Sequence, residues 1–397
     1  MDPARWARVQ ALFHDALERP ASARDAWLAA ACAGDAALHD EVRTLLAADE
    51  GGAGPLDHPL GDVAHALLAG AGAPLPDVAF GPYRLVELLG EGGMGVVYLA
   101  ERADLGSRAA IKILRDAWLS PARRARFAAE QRTLAHLHHP AIAQLYDADA
   151  LPDGTPWFAM QYVEGEPLTA WCRARGAGLE ERLRLFRDVC GAVQHAHAQA
   201  VIHRDLKPSN ILVTAEGRVM LLDFGIAKHL EHADLEADQT RTGLRLMTPA
   251  YAAPEQVRGE RVGVQADVYS LGVVLYELLA GRLPYDLAHR TPAEALEVVA
   301  AHEPVRPSAV ARAVAGRGEV AGAHRAGARA WGDLDVLCLT AMHVDRARRY
   351  QTVEALARDV DRFLRGEPLE ARGDSAGYRF SKFVARHRGA VAAGALA

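Results

Sequence analysis

Cysteine is scarce in this chain. There are four in 397 residues (Cys32, Cys172, Cys190 and Cys338), with neither a CxxC pair nor a His-Cys cluster. That scatter argues against a disulfide framework or a zinc site and for reduced, buried thiols in a cytoplasmic protein. An excess of basic charge is also missing. Forty-five Lys and Arg against 51 Asp and Glu leave a formal charge of −6, which is not the balance of a nucleic-acid binder. The opening Met1-Asp2-Pro3-Ala4-Arg5-Trp6 lacks the apolar core of a signal peptide. No period of 20–50 residues repeats, so a solenoid is not expected. What is present is ordinary globular composition, half apolar and a quarter charged. The length suits one large domain plus a small one.

The chain divides by composition. Residues 1–50 place Trp6, Val9, Phe13 and Ala16, then Trp27, Leu28 and Ala31, then Leu38, Val42, Leu45 and Leu46 at helical spacing, which predicts a small helical module. Residues 51–79 turn to Gly, Ala and Pro and read as a linker. From residue 80 to about 163, β-type runs (Tyr83–Leu89, Val96–Ala100, Ala109–Leu114, Trp157–Val163) surround one helix, and from Glu180 helices dominate. A sheet-rich lobe followed by a helical lobe, with a cleft between, is the α+β arrangement this order predicts. An Ala/Gly/Arg-rich stretch, Pro307 to Ala330, shows little apolar periodicity and reads as a surface insertion. Residues 367–397 form a basic tail. Arg379, Lys382, Arg386 and Arg388 are followed by the wholly apolar Gly389–Ala397. A basic flank before an apolar run is how a membrane span begins on its cytoplasmic side, although a span needs about 20 residues. With nine apolar residues in place of that number, an ordinary frayed tail is the reading the count favours.

The chemistry starts at Gly90-Glu91-Gly92-Gly93-Met94-Gly95. A GxGxxG also opens dinucleotide-binding units, but those run on into a helix. Here Val96-Val97-Tyr98-Leu99 follows, a strand signature. The glycines therefore sit at the tip of a strand–turn–strand, where unhindered backbone can fold over phosphates or simply close a hairpin. Next, Lys112 lies inside the apolar strand Ala109–Leu114, which is costly without a partner. Ser120-Pro121 starts a helix on which Glu130 shares the face of Phe127 and Leu134, a carboxylate in equal need of a partner. The most specific run is His203-Arg204-Asp205-Leu206-Lys207-Pro208-Ser209-Asn210. Asp205 and Asn210 have the spacing of a loop whose aspartate accepts a hydroxyl proton and whose asparagine holds a metal ion. Lys207 stands where it can steady a transferring phosphoryl group. After the apolar run Val219–Leu222 comes Asp223-Phe224-Gly225, an aspartate placed as a Mg²⁺ ligand would be.

Together these motifs resemble the eukaryotic-like (Hanks-type) protein kinases, their bacterial serine/threonine branch in particular. The resemblance covers about Phe80 to Gly366 and includes Ala253-Pro254-Glu255 in its usual order. It implies the two-lobed protein kinase fold and a serine/threonine protein kinase that transfers the γ-phosphoryl group of ATP. Mg²⁺ is the implied metal, with Mn²⁺ as a substitute. By the same resemblance Lys112 would hold phosphates and pair with Glu130, Asp205 would be the base, Lys207 its neighbour in catalysis, and Asn210 and Asp223 the metal ligands. The nucleotide would lie under Leu89, Gly90, Glu91, Gly92, Gly93, Met94, Gly95 and Val96. Val97, Ala110 and Leu212 would sandwich the base, behind a gatekeeper Met160 and against the hinge backbone of Gln161 and Val163. Glu255 would pair with Arg349 in a late helix, and Asp267 would anchor a long helix, Val268–Leu279.

Lys207-Pro208-Ser209 and Thr248 resemble the serine/threonine type. Arg204 beside Asp205 implies control by loop phosphorylation, with Thr240 and Thr242 as candidates and Arg204 and Lys228 to receive the phosphate; two threonines of a polar loop read equally. Protein substrates, and self-association for autophosphorylation, follow from the same likeness. Two positions depart from the pattern. Met247 stands where Gly is usual, and Arg346 where Pro is usual. The flanks resemble those of some proteobacterial kinases, which implies a cytoplasmic catalytic portion attached to the membrane through a span beyond Ala397. A catalytically dead scaffold would lack one of the key polar residues, and all are present. A small-molecule phosphotransferase of related fold would not normally carry Ala253-Pro254-Glu255.

Overall fold

The computed structural model describes residues 80–92, 95–114, 134–151, 155–224, 250–287, 290, 292–301, 303–315, 327–373, 377–379 and 382, with scattered positions among residues 12–43. The chain forms two compact units, one over Met1–Ala79 with Arg115–Ala117 and one over the rest. In the first, Leu12, Trp27, Leu28, Ala31, Leu38 and Val42 are helical, and Leu12, Leu28, Cys32, Leu38 and Val42 bury one another.

In the second unit a five-stranded antiparallel sheet comes first. Its strands are β1 (Tyr83–Gly92), β2 (Gly95–Arg102), β3 (Arg108–Leu114), β4 (Leu145–Ala150) and β5 (Pro156–Gln161), in the order β1-β2-β3-β5-β4. Apolar and β-branched residues drive β2, β3 and β5, whose side chains are almost all buried or half-buried. Phe80 and Tyr83 meet Trp157 edge to face, and Tyr83 donates to Asp147, so one aromatic cluster ties β1, β5 and β4 together. Strand β4 is missing from the sequence expectation. Its Asp147 and Asp149 and its exposed edge position leave no clean alternation to read.

The helical part holds a small sheet, β6 (Gly165–Pro167), β7 (Ile211–Thr214) and β8 (Val219–Leu221). Around it lie α1 (Leu168–Ala174), α2 (Leu179–Ala198), α3 (Pro254–Val257), α4 (Val264–Ala280), α5 (Pro292–Ala301), α6 (Pro307–Ala315), α7 (Ala328–Ala341) and α8 (Val353–Leu364). Helix α4 starts four residues earlier than the apolar run suggests. It is buried on nearly every side and is the axis of the core. Gly272 lets α7 approach it, for a Cβ there would stand 2.8 Å from both Ala341 and Met342 side chains.

Two expectations are corrected. Pro307–Ala315 is not a surface insertion but helix α6, with Ala311 and Val314 buried and Ser308 bonded through its amide and hydroxyl to Asp335 at 2.9 and 2.7 Å. Its periodicity was hidden because alanines occupy both faces. Arg349 lies not in a helix but in extended backbone between a 3₁₀ turn (Arg346–Arg348) and α8. Contacts of the helical part also run past Gly366. Asp359 on α8 accepts the amides of Glu370 and Ala371 at 2.7 and 3.0 Å and the Tyr350 hydroxyl at 2.9 Å. On α7, wholly buried Asp333 receives the Arg372 guanidinium and the Tyr378 hydroxyl on one oxygen, while Lys382 Nζ lies 2.6 Å from the other. Arg372 and Lys382 also lie over the Tyr378 ring, at 4.5 and 5.9 Å. Of the cations in the basic flank, Lys382 is thus tied to a buried carboxylate of the helical core. Among the described residues no helix is long and apolar enough to cross a membrane.

Candidate active site

The first wall of the site is one face of the large sheet. Residues directly opposite in antiparallel strands share a face. Register pairs Val97 with Lys112, Leu99 with Ala110, Ala110 with Met160 and Lys112 with Phe158. Val97, Ala110, Lys112 and Met160 therefore point the same way. The β1–β2 hairpin above them closes on the Gly92–Gly95 pair. Gly95 has φ +151°, and a Cβ there would sit 2.0 Å from the Ile113 carbonyl, so no other residue fits. Gly93 and Met94 lie outside the described residues, while Leu89, Gly90 and Glu91 are exposed along β1. At the end of β5 the Gln161 amide is committed to the Gln144 carbonyl at 2.8 Å. Only the Gln161 carbonyl is then left to meet a base, with the backbone of Val163 beyond it.

The opposite wall is the loop before β7. Asp267, at the start of α4 and wholly buried, accepts the amides of His203 and Arg204 at 2.8 Å each and the His197 ring at 2.7 Å. Burial alone would raise the Asp267 carboxyl, but the hydrogen bonds from the His197 ring and the His203 amide work against it, and the carboxyl lies below its ordinary value. Arg204 occupies the left-handed region, φ +64°. Such strain, of order 1–3 kcal/mol, is held on both sides, since Gln256 Nε2 also binds the Arg204 carbonyl at 2.9 Å. Gln256 in turn follows Glu255, whose carboxylate meets Arg349 through two bonds of 2.7 and 2.9 Å, both groups buried. The pair is the bidentate form that suits a guanidinium.

Between the walls the expected polar residues converge. Lys112 Nζ lies 2.7 Å from Asp223 Oδ2. Glu130, its other expected partner, is outside the described residues. Asp223 follows β8 by two residues and is itself left-handed, φ +49°. Its other oxygen, Oδ1, is buried without a hydrogen-bond partner among the described residues. Asn210 turns its amide nitrogen to the Asp205 carbonyl and carboxylate at 2.8 and 3.0 Å, which leaves Oδ1 as its acceptor. Lys207 Nζ stands 3.1 Å from Asp205. His203 donates from Nε2 to the Leu222 carbonyl (2.9 Å) and packs on Phe224 with ring centroids 4.7 Å apart. Burial keeps it below the usual histidine range, hence neutral at pH 7. Leu212 lies half-buried on β7.

Asp223 Oδ1, a buried oxygen with no donor, is an expensive thing to keep unless a cation approaches it. Together with the Asn210 oxygen it offers hard donors. Among the described residues no three His, Cys, Asp or Glu gather as a metal cage. One carboxylate and one amide oxygen, with phosphates to supply the rest, is how Mg²⁺ is commonly held. The residues fit that ion.

Sequence reasoning missed His197, which braces the Asp267 carboxylate, and Gln256 and Gln144, which hold the backbone of Arg204 and Gln161. His197 lies six residues before His203 and Gln256 directly after Glu255, but nothing in one sequence marks them. Gly225, Lys228, Thr240, Thr242, Met247 and Thr248 lie outside the described residues.

Comparison with known proteins follows this geometry. The family model described as "Protein kinase domain" matches residues 83–314. The serine/threonine-protein kinase Pkn1 of Myxococcus xanthus is 44% identical over 221 residues, 54% of this chain and 31% of that protein. The serine/threonine-protein kinase PknB of Mycobacterium tuberculosis is 36% identical over 294 residues, 73% of this chain and 44% of that protein. The chain thus spans less than half the length of these curated relatives. The crystal structure of the Mycobacterium tuberculosis PknI kinase domain is similar at a TM-score of 0.51 and 28% identity, covering 72% of this chain and 97% of that one.

Proposed function

Since the chain belongs to the protein kinase family and is of the bacterial serine/threonine type, we propose that it transfers the γ-phosphoryl group of MgATP to serine and threonine hydroxyls of proteins, its own activation loop included. The observation that carries this reading is the convergence of Lys112, Asp205, Lys207, Asn210 and Asp223 between a glycine hairpin and a braced loop.

Phosphoryl transfer asks little covalent chemistry of an enzyme, so positioning and charge dominate. Lys112 binds the α- and β-phosphates, and its present contact with Asp223 keeps it at the right end of β3. Asp205 accepts the proton of the attacking hydroxyl, oriented by Asn210 and the nearby Lys207 ammonium. Lys207 steadies the transferred group. Asn210 and Asp223 would hold Mg²⁺, or Mn²⁺ in its place, and a bound ion supplies charge neutralisation at the phosphate oxygens. Val97, Ala110 and Leu212 enclose the base, and Gln161 and Val163 offer backbone to it. Thr240 and Thr242 are the proposed sites of self-phosphorylation. Attachment of the whole protein to a membrane beyond Ala397 belongs to the same proposal.

The test is incubation with radiolabelled ATP and Mg²⁺, followed by phosphoamino-acid analysis, beside Asp205→Asn. Label on threonine or serine, falling about 10²- to 10⁴-fold in the variant, is the expected outcome. Equal labelling of both proteins would overturn it.

A further inference from the structure

The short segment Ala141–Gln144 touches three parts of the site at once. Ala143 donates to the Leu221 carbonyl at 2.9 Å, and Leu221 donates back to Ala141 at 2.8 Å, two residues before Asp223. Next along, Gln144 and Gln161 hold each other. The Gln161 amide donates to the Gln144 carbonyl at 2.8 Å, and the Gln144 amide to Gln161 Oε1 at 3.4 Å. The Gln144 side chain then reaches the other way. Its Nε2 donates to the carbonyls of Ala135 and Leu145 at 3.2 and 3.3 Å, and its Oε1 meets His138 Nδ1 at 2.8 Å. Leu134 and Ala135 are helical and His136 is in a turn, so Ala135 contributes one of the helix-end carbonyls that lack a partner within the helix.

We propose that Gln144 is a positioning residue for the adenine base: its side chain, fixed on the helix end and His138, sets where the Gln161 carbonyl stands relative to Asp223. This inference rests on the nucleotide reading of the cleft. The physical ground is the split between side chain and backbone. A residue whose backbone pairs with the hinge and whose amide side chain is bonded at both ends cannot rotate or slide without breaking several bonds together. The spacing between hinge and Asp223 is thereby fixed through one short segment. Gln161 reads as hinge from sequence, but the residue that aims it lies seventeen positions earlier and touches no nucleotide.

The decisive measurement compares three ligands on the full chain by calorimetry and competition: MgATP, adenosine, and magnesium tripolyphosphate, which lacks the base. In Gln144→Leu, affinity for ATP and for adenosine should fall together by about fivefold, the worth of one lost hydrogen bond, with tripolyphosphate unchanged. Gln144→Glu, closer in shape, keeps the His138 contact but loses both donor bonds, and should move in the same direction should the leucine variant fold poorly. Loss spread equally over all three ligands, or no loss for adenosine in either variant, overturns the inference while leaving the nucleotide site standing. If the wild type binds ATP no better than tripolyphosphate, the nucleotide reading itself falls, and this inference with it.

Discussion

Asp333 offers the sharpest test of how this fold is held together. Its carboxylate is wholly buried on α7, and its charge is answered by Arg372 and Lys382, whose side chains are 39% and 18% exposed. Removing both cations in Arg372→Ala/Lys382→Ala would leave a buried carboxylate with Tyr378 as its remaining described donor. Breaking a buried ion pair on one side typically costs 3–5 kcal/mol. The partial exposure of Arg372 argues for the lower end, about 3 kcal/mol. With a urea dependence of roughly 3 kcal/mol per molar, the midpoint of unfolding should fall by about 1 M. The same double substitution placed on Asp333→Asn should cost much less, because the neutral amide leaves no stranded charge and can still accept from Tyr378. If the cost is the same in both backgrounds, or below about 1 kcal/mol in each, these are surface salt bridges of the ordinary weak kind, and residues 369–382 are an ornament of the fold rather than part of it.

Two further outcomes follow from single sites. Burial raises the Glu277 carboxyl above its ordinary value, against the stabilising Tyr251 hydroxyl at 2.7 Å. Its folded-state pKa therefore exceeds the unfolded one, and the charged form costs stability as pH rises through it. Glu277→Gln keeps an acceptor for Tyr251 without the charge. Its thermal midpoint should exceed the wild type at pH 7.5, with the gap closing towards pH 4.5, and a gap that is constant with pH would contradict the burial argument. At the hairpin, Gly95→Ala must displace the Ile113 carbonyl or leave its φ of +151°. Denaturant unfolding should show a loss of about 1–3 kcal/mol, and the KM for ATP should rise; an unchanged KM would separate the hairpin from the nucleotide.

Much of the site was legible because its residues sit in short runs with fixed internal spacing. Asp205, Lys207 and Asn210 fall within six residues, and the structure brings them within 3.1 Å contacts of one another. Lys112 was suspect as a charge in an apolar strand, and it does have a carboxylate. The described partner is Asp223, 111 residues away, where local reasoning looked to the next helix. Helix α4 was readable from a long run apolar on nearly every side, whereas α6 was not: four of its nine residues are alanine, and they fall on its buried and its exposed face alike. The inner contacts of the tail were illegible for a related reason: Arg372 and Lys382 are cations wherever they are placed, and only a buried carboxylate on another helix shows that they meet it.

The sequence by itself determined the elements and the chemical inventory. Periodicity, glycine placement and local motifs act over a few residues, within reach of reading along the chain. Tertiary structure decided how that inventory is aimed. Asp267 brackets the backbone of His203 and Arg204 from 64 and 63 residues away, Arg349 grips Glu255 across 94, and Gln144 holds the Gln161 amide from the position just before β4. Each of these contacts needs a buried polar group to find a specific partner in three dimensions, and desolvation makes the failure to find it costly.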